Sequence, residues 1–238
     1  MRAIFVRDFK SFFHSMMGYV FAAFFLVVVG FYMTAYNLIY ATSQFEYTLN
    51  ATTFIFFILI PVLTMRAFAE ERKAKTDQML LTAPVTVTQV VFGKFLALVA
   101  AFMIPMVVVA FYPLLLTQFG DVSLKVAYGC FLAYILMGIA FLALGMFISS
   151  LTESPIAAAF ISFGVMLVMF LMPSIASLIP DGTIGDLLRS ILSWFEITNG
   201  FDSFASGIFD VTAIVYYLSW IVLFNVLTVQ SIQKRRWC

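Results

Sequence analysis

The sequence predicts an all-α integral membrane protein with six transmembrane helices, and three observations lead to this prediction. Of the 238 residues, 63% are hydrophobic and only 11% are charged, and the mean hydropathy is +1.06. A soluble domain is about half apolar and about a quarter charged. The apolar residues also fall into six runs, and the basic residues collect on one side of the topology that these runs define. This composition requires a solvent that is itself apolar, which is the lipid bilayer.

Six apolar segments are each long enough to cross the bilayer as a helix, which takes about 20 residues. They comprise residues 17–40, 47–65, 95–117, 126–151, 155–179 and 211–232. No Asp, Glu, Lys or Arg lies inside any of these ranges, and the segments between them are polar or contain turn residues. We expect a single transmembrane domain over residues 1–238.

The segment before the first span, residues 1–16, is predicted to form an amphipathic helix. Phe9, Phe12 and Phe13 recur at helical spacing, while Arg7 and other polar residues fall between them. Such a helix lies in the membrane interface with its basic face toward the lipid headgroups.

The distribution of Lys and Arg predicts the orientation, because these residues stay on the cytoplasmic side of a membrane protein. Six spans place both termini on one side, together with the segments after the second and fourth spans. Of the 13 basic residues, all except Lys125 and Arg189 then lie on that side. We therefore expect a multi-pass protein of the cell membrane with both termini in the cytoplasm.

Several absences from the sequence narrow the function. It contains no GxxxxGK[ST] phosphate-binding loop, no GxSxG or HExxH motif and no Cys/His spacing typical of a metal site. The spans carry no ionisable residue to move a proton or sodium ion, and a net charge of +1 gives no sign of a nucleic-acid partner. We expect no enzymatic activity, metal or cofactor in this chain, and an energy source outside it.

The segment between the second and third spans, residues 66–94, is the longest charged stretch. It begins as a helix of mixed charge, continues into an apolar patch at Leu80 and Leu81, and reaches Pro84, which ends the helix. Lipid headgroups would explain its basic residues, whereas a protein partner would also explain its acidic and apolar ones. The residues alone leave both interpretations open.

The same segment resembles the permease subunits of ABC-2 type transporters, most closely the gliding-motility-associated branch. In that family the second span runs into M-R-x-x-A-E-E-[RK]-x-x-G-T-x-x-x-L-L-x-[TS]-x-P-V, followed by G-K. The matching residues are Met65, Arg66, Ala69, Glu70, Glu71, Arg72, Thr76, Leu80, Leu81, Thr82, Pro84, Val85, Gly93 and Lys94. The chain departs at Lys75, where the family usually has glycine. Weaker similarity in residues 145–164 and 194–237 extends the resemblance over most of the chain.

The resemblance implies a permease subunit that uses ATP hydrolysed by other chains. Two permease chains, identical or related, would form the pathway, and two P-loop ATPase subunits would bind ATP and magnesium. An extracytoplasmic auxiliary protein can join such a complex. The spans are aromatic and lack ionisable residues, so a small ion would be desolvated at high cost. We therefore expect a bulky or amphipathic substrate, and the resemblance implies that it is exported.

The resemblance also implies roles for two segments. A coupling helix at about residues 69–82 would dock into the ATPase, and the N-terminal helix would act as an elbow against the same subunit. The expected coupling residues are Ala69, Glu70, Glu71, Arg72, Lys73, Thr76, Leu80, Leu81, Thr82 and Pro84. The expected elbow residues are Arg7, Phe9, Phe12 and Phe13.

Residues 180–210, between the fifth and sixth spans, are too numerous for a turn and too apolar for a free loop. A surface helix in the outer leaflet would explain their pattern, and so would the short re-entrant helices of the ABC-2 family. We expect the re-entrant pair, because broken helices at membrane depth are tolerated where protein covers them.

Two other functional classes remain open at this point. A membrane-embedded lipid-modifying enzyme would need a set of acidic, basic or nucleophilic residues that the sequence does not display. A structural membrane protein would not need the ordered charged segment at residues 66–94.

Overall fold

The computed structural model describes residues 2–40, 42, 44–75, 86–179, 183–194, 196–197, 199–207 and 209–236. Over these residues the chain is helical and contains no strand. Six helices in this part of the chain are long and apolar enough to cross a membrane, which confirms the predicted fold class. The chain is a multi-pass membrane protein.

The spans follow one another with short connections at most positions. The first comprises the helix Met17–Tyr32 and a π-helical continuation, Met33–Ile39. The remaining spans are Phe45–Thr64, Val87–Val109 with its continuation Tyr112–Leu116, Leu124–Leu151, Pro155–Ser177 and Val211–Arg236.

Four shorter helices lie at the two ends of this bundle. The N-terminal helix, Arg2–His14, precedes the first span, and a short helix, Ala69–Lys73, follows the second. We call their end of the bundle the basic end; the connection between the fourth and fifth spans lies there too. The helices Thr183–Ser193 and Asn199–Ala205 lie at the opposite end, between the fifth and sixth spans.

The second and fourth spans form the centre of the bundle. In their most apolar windows 67% and 72% of the residues are buried, against 22% to 44% in the other four spans. The Phe56 ring centroid lies 6.0 Å from Phe25, 5.6 Å from Phe102 and 4.4 Å from Tyr134. Because these residues belong to four different spans, this aromatic cluster ties the first four spans together.

One glycine sets how closely the two central spans approach. A Cβ atom on Gly145 of the fourth span would lie 2.4 Å from Thr64 Oγ1 of the second span. That distance is far inside van der Waals contact, so any larger residue would force the two helices apart. The same contact holds the second and fourth spans close together near the basic end.

The helix of the third span begins at Val87, well before the apolar run that starts at Phe95. Its N-cap is Thr86, whose Oγ1 accepts a hydrogen bond from the Gln89 backbone N–H. The added turns place Lys94 inside the helix.

The two short helices between the fifth and sixth spans are present as expected. Phe201 and Phe204 of the second helix are buried, and Phe204 lies beside Gly129 in the fourth span. The Tyr217 hydroxyl of the sixth span donates to the Ile197 carbonyl at 2.8 Å. Protein therefore covers this segment, while its re-entry into the membrane stays a prediction.

Candidate functional site

A buried lysine at the basic end joins three segments of the chain. The Lys94 side chain in the third span is 5% exposed. Its Nζ lies 2.8 Å from Glu71 Oε1 and 3.2 Å from Asp8 Oδ2, the latter an ion pair without hydrogen-bond alignment. A buried ammonium without such partners would be strongly destabilising. The two carboxylates therefore hold the N-terminal helix and the short helix Ala69–Lys73 against the third span.

Arg7 completes a cluster of two cations and two anions. Its Nε donates to Asp8 Oδ1 at 2.8 Å, and its Nη2 donates to Glu71 Oε1 at 2.8 Å. Burial would lower the pKa of Arg7, but the hydrogen bonds and charges of Asp8 and Glu71 outweigh burial and raise it above its usual value. Arg7 is therefore charged at every physiological pH, and the cluster is electrically balanced.

An aromatic ring covers the Lys94 ammonium. The Phe68 ring centroid lies 5.2 Å from Lys94 Nζ, and Phe68 itself is buried. The face of an aromatic ring attracts a cation at this distance. Phe68 therefore both stabilises the ammonium and limits the access of water to it.

The start of the short helix is capped by a residue of another span. Ser149 Oγ, in the fourth span, accepts hydrogen bonds from the backbone N–H groups of Phe68 and Ala69, both at 3.2 Å. The same hydroxyl donates to the Met65 carbonyl at 3.3 Å. Helix N-termini carry amides without partners inside the helix. Ser149 satisfies two of them and fixes the end of the second span to the fourth.

Arg72 ties the short helix to the connection between the fourth and fifth spans. Its Nη1 donates to the carbonyls of Ser150 at 3.2 Å and Thr152 at 3.0 Å. Its Nη2 pairs with Glu153 at 2.9 Å. The guanidinium thus uses its planar array of donors to hold the backbone and one side chain of residues 150–153 in place.

Within the part of the chain that the structure describes, Glu70, the neighbour of Glu71, makes a local contact. It pairs with Arg66 one helical turn earlier at 2.5 Å, with both side chains partly exposed. We call the residues that join separate segments the basic-end junction. They are Arg7, Asp8, Phe68, Glu71, Arg72, Lys94 and Ser149.

The family model of the ABC-2 family transporter protein matches residues 34–229. This match covers most of the chain, including the short helix, four complete spans and parts of the first and sixth spans. The chain belongs to the ABC-2 transporter family. No curated protein matches it.

An ABC-2 permease domain lacks ATPase activity, so the prediction that this chain is not an enzyme is confirmed. ABC-2 permeases generally pair with ABC ATPase subunits, and in such systems the separate subunit binds the ATP. The matched region begins after the N-terminal helix, so the contribution of that helix to the junction comes from the geometry alone.

Of the coupling residues expected in this permease, five lie in the part that the structure describes. Glu71 and Arg72 belong to the junction, and Ala69 is fully buried beneath it. Glu70 pairs locally, and Lys73 is exposed. The other five, Thr76, Leu80, Leu81, Thr82 and Pro84, lie outside the described residues.

Lys75, where the family usually has glycine, keeps the backbone conformation that glycine favours. Its φ angle is +56°, in the left-handed region that follows many helix ends. The short helix Ala69–Lys73 therefore ends in a tight turn despite the departure from the family pattern, and the lysine side chain is exposed.

The N-terminal helix buries one residue of its predicted polar face. Phe12 is buried, and Phe9 packs between Phe5 and Phe13 at centroid distances of 5.9 and 5.0 Å. Asp8, however, is buried with Phe12, so the polar face does not turn wholly toward lipid headgroups. Its carboxylate is stabilised there by the ammonium of Lys94.

Sequence reasoning missed the roles of Asp8, Lys94 and Ser149. Lys94 was visible as part of the family's G-K pair, and Ser149 lies in a stretch that also resembles the family. Asp8 had a weaker signal: it is the acidic residue nearest to Arg7 in a helix whose other polar residues are neutral or basic. Their convergence becomes evident only when the helices are packed.

Proposed function

We propose that this chain is the permease subunit of an ATP-driven exporter, and that a separate P-loop ATPase docks on its basic end. The junction is the observation that supports this proposal. The short helix Ala69–Lys73 is bonded to the N-terminal helix, the third span and the fourth span. A displacement of this helix by a docked ATPase would therefore reach three other segments at once.

The physical basis of this transmission is the stiffness of the contacts. Lys94 and Ser149 are almost completely buried, so water cannot readily replace their partners when the short helix is displaced. An exposed pair such as Arg66 and Glu70 can separate and be hydrated at little cost. The buried contacts would move the spans with the short helix.

The proposed orientation places the basic end in the cytoplasm, where ATP is available. The charge asymmetry supports this orientation. In the six-span topology, all of the 13 basic residues except Lys125 and Arg189 belong to the segments at the basic end, and basic residues stay on the cytoplasmic side. Both termini would then be cytoplasmic.

The nature of the spans supports a bulky or amphipathic substrate. Their helices carry charged residues only in their first or last turns, apart from Lys94, which is neutralised in the junction. A small inorganic ion crossing such a pathway would lose its hydration without replacement. An amphipathic molecule keeps its apolar part against aromatic and aliphatic side chains and avoids this cost.

The proposed complex contains a second permease chain, identical or related, and ATPase subunits that bind ATP and magnesium. The exposed apolar faces of the first, fifth and sixth spans leave room for that second chain as well as for lipid. An extracytoplasmic auxiliary protein remains part of the proposal. The gliding-motility-associated branch lies beyond the family match and stays a prediction from the motif at residues 65–94.

The test compares two neighbouring charge reversals in the purified complex of the full chain with its ATPase. Glu71→Lys adds a cation between Arg7 and Lys94 and should either release the ATPase or lower the hydrolysis rate of the complex several-fold. Glu70→Lys disturbs only the local pair with Arg66 and should keep both properties within about twofold. Equal assembly and equal hydrolysis in the Glu71→Lys complex and the wild type would contradict the proposal.

A further inference from the structure

A large polar cavity lies at the end of the bundle opposite to the junction. Its volume is about 910 Å³, and three segments line it: residues 42–50, 121–126 and 205–207. Small-molecule sites in proteins occupy roughly 300–1,000 Å³, whereas one water molecule takes about 30 Å³. The cavity is therefore of the size that accommodates an organic group rather than a single ion.

The lining of this cavity is polar and carries negative charge. Eleven of the described residues line the cavity; eight of these have polar side chains, including the carboxylates of Glu46 and Asp121, and none of the eleven is Lys, Arg or His. Lys125 lies within the segment 121–126, but its side chain is exposed and is not among the residues that line the cavity. A ligand that carries a positive charge and hydrogen-bond donors would complement this surface.

Glu46 is the strongest indication that a ligand belongs here. Its Oε2 is shielded from solvent and has no hydrogen-bond partner among the described residues. Glu46 also lies in the first turn of the second-span helix, where the helix dipole favours a negative charge. A buried carboxylate oxygen without a partner is costly, and a cationic group in the cavity would remove that cost.

The wall that carries Glu46 is held in place by a buried amide. Asn37 Nδ2, in the π-helical end of the first span, donates to the carbonyls of Thr42 at 2.8 Å and Gln44 at 3.1 Å. Asn37 Oδ1 accepts from Thr48 Oγ1 at 2.5 Å. The approach to Glu46 is thereby preorganised, which reduces the entropy lost on binding.

We propose that this cavity binds the cationic amine or ammonium end of an amphipathic substrate. The proposal rests on the proposed export function, because the cavity then lies on the side where the substrate leaves. Tyr47 lines the same cavity and is exposed, so its ring is available to the ammonium group. The apolar part of the substrate would remain against the spans.

The test measures binding of a fluorescent long-chain alkylamine to the full chain in lipid nanodiscs, without the ATPase. Its N-acetylated analogue has the same chain without the charge and serves as the matched ligand. We expect the amine to bind at least tenfold more tightly than the analogue. Glu46→Gln should remove most of this preference and Glu46→Asp should retain part of it. Asp186→Asn, an exposed carboxylate at the same end outside the cavity, should leave it unchanged.

Asp121→Asn is a second variant for the binding test that should not impair folding, because Asp121 is exposed and follows the end of a helix. It should weaken amine binding several-fold and leave the neutral analogue unaffected. Equal affinities of the wild type for amine and analogue would overturn the inference. Displacement of the amine by micromolar calcium or magnesium would also overturn it and assign a metal ion to the cavity. Because the ATPase is absent from this assay, its outcome is independent of the Glu71→Lys test.

Discussion

Replacement of Lys94 with methionine tests whether the basic-end junction stabilises the fold. Methionine keeps an unbranched stem but removes the ammonium that lies 2.8 Å from Glu71 and 3.2 Å from Asp8. At 2.8 Å and an effective dielectric constant of about 20, the attraction to Glu71 is roughly 6 kcal/mol. Desolvation of the ammonium offsets part of this attraction. Breaking a buried pair from one side costs about 3–5 kcal/mol, and we expect about 3 kcal/mol because Arg7 still pairs with both carboxylates and offsets part of their charge.

The assay is unfolding of the full chain by SDS in mixed micelles, followed by circular dichroism. Arg66→Met is the matched control, because it breaks the partly exposed pair with Glu70 within one segment and should cost less than about 1 kcal/mol. If Lys94→Met and Arg66→Met lowered the free energy of unfolding equally, the junction would not be a stabilising network and the argument for stiff transmission would be refuted.

Two further predictions use the same unfolding measurement. Ser149→Ala should cost about 1–3 kcal/mol, because the buried N–H groups of Phe68 and Ala69 lose their acceptor. Ser150→Ala removes a hydrogen bond to Phe147 in the same helix and should cost less. A larger loss of stability in Ser150→Ala than in Ser149→Ala would contradict the capping role of Ser149. Gly145→Ala should cost about 1–3 kcal/mol through its clash with Thr64. Gly164→Ala has open space around the added methyl group and should be neutral or stabilising by up to about 1 kcal/mol. Similar losses in the free energy of unfolding at both glycines would contradict the close packing of the second and fourth spans at Gly145.

The six spans could be predicted from the sequence because the bilayer imposes a length and a composition that a single segment must satisfy by itself. The third span shows where this reasoning ends. Its apolar run begins at Phe95, yet its helix begins at Val87, since Lys94 is neutralised by carboxylates that are distant in the sequence. Hydropathy along a chain contains no information about such partners.

The sequence predicted only those residues of the candidate site that a local pattern reveals. The mixed-charge helix and its family motif identified Glu71 and Arg72, because their residue types and spacing are visible locally. The convergence of Asp8, Lys94 and Ser149 depends on how three helices pack, and no local pattern specifies that. Asp8 is one of the polar residues of the N-terminal helix, and the sequence of a helix indicates which residues share a face, not what covers that face.

Site-directed crosslinking from two exposed lysine positions tests whether the ATPase docks at the basic end. Lys73 lies at the end of the short helix at the basic end, and Lys125 lies at the start of the fourth span at the opposite end. Each would be replaced with cysteine, coupled to a photoreactive benzophenone and irradiated in the assembled complex with the ATPase. We expect a crosslinked permease–ATPase product from Lys73→Cys and none from Lys125→Cys. A product from Lys125→Cys with none from Lys73→Cys would contradict both the proposed orientation and the proposed docking of the ATPase at the junction.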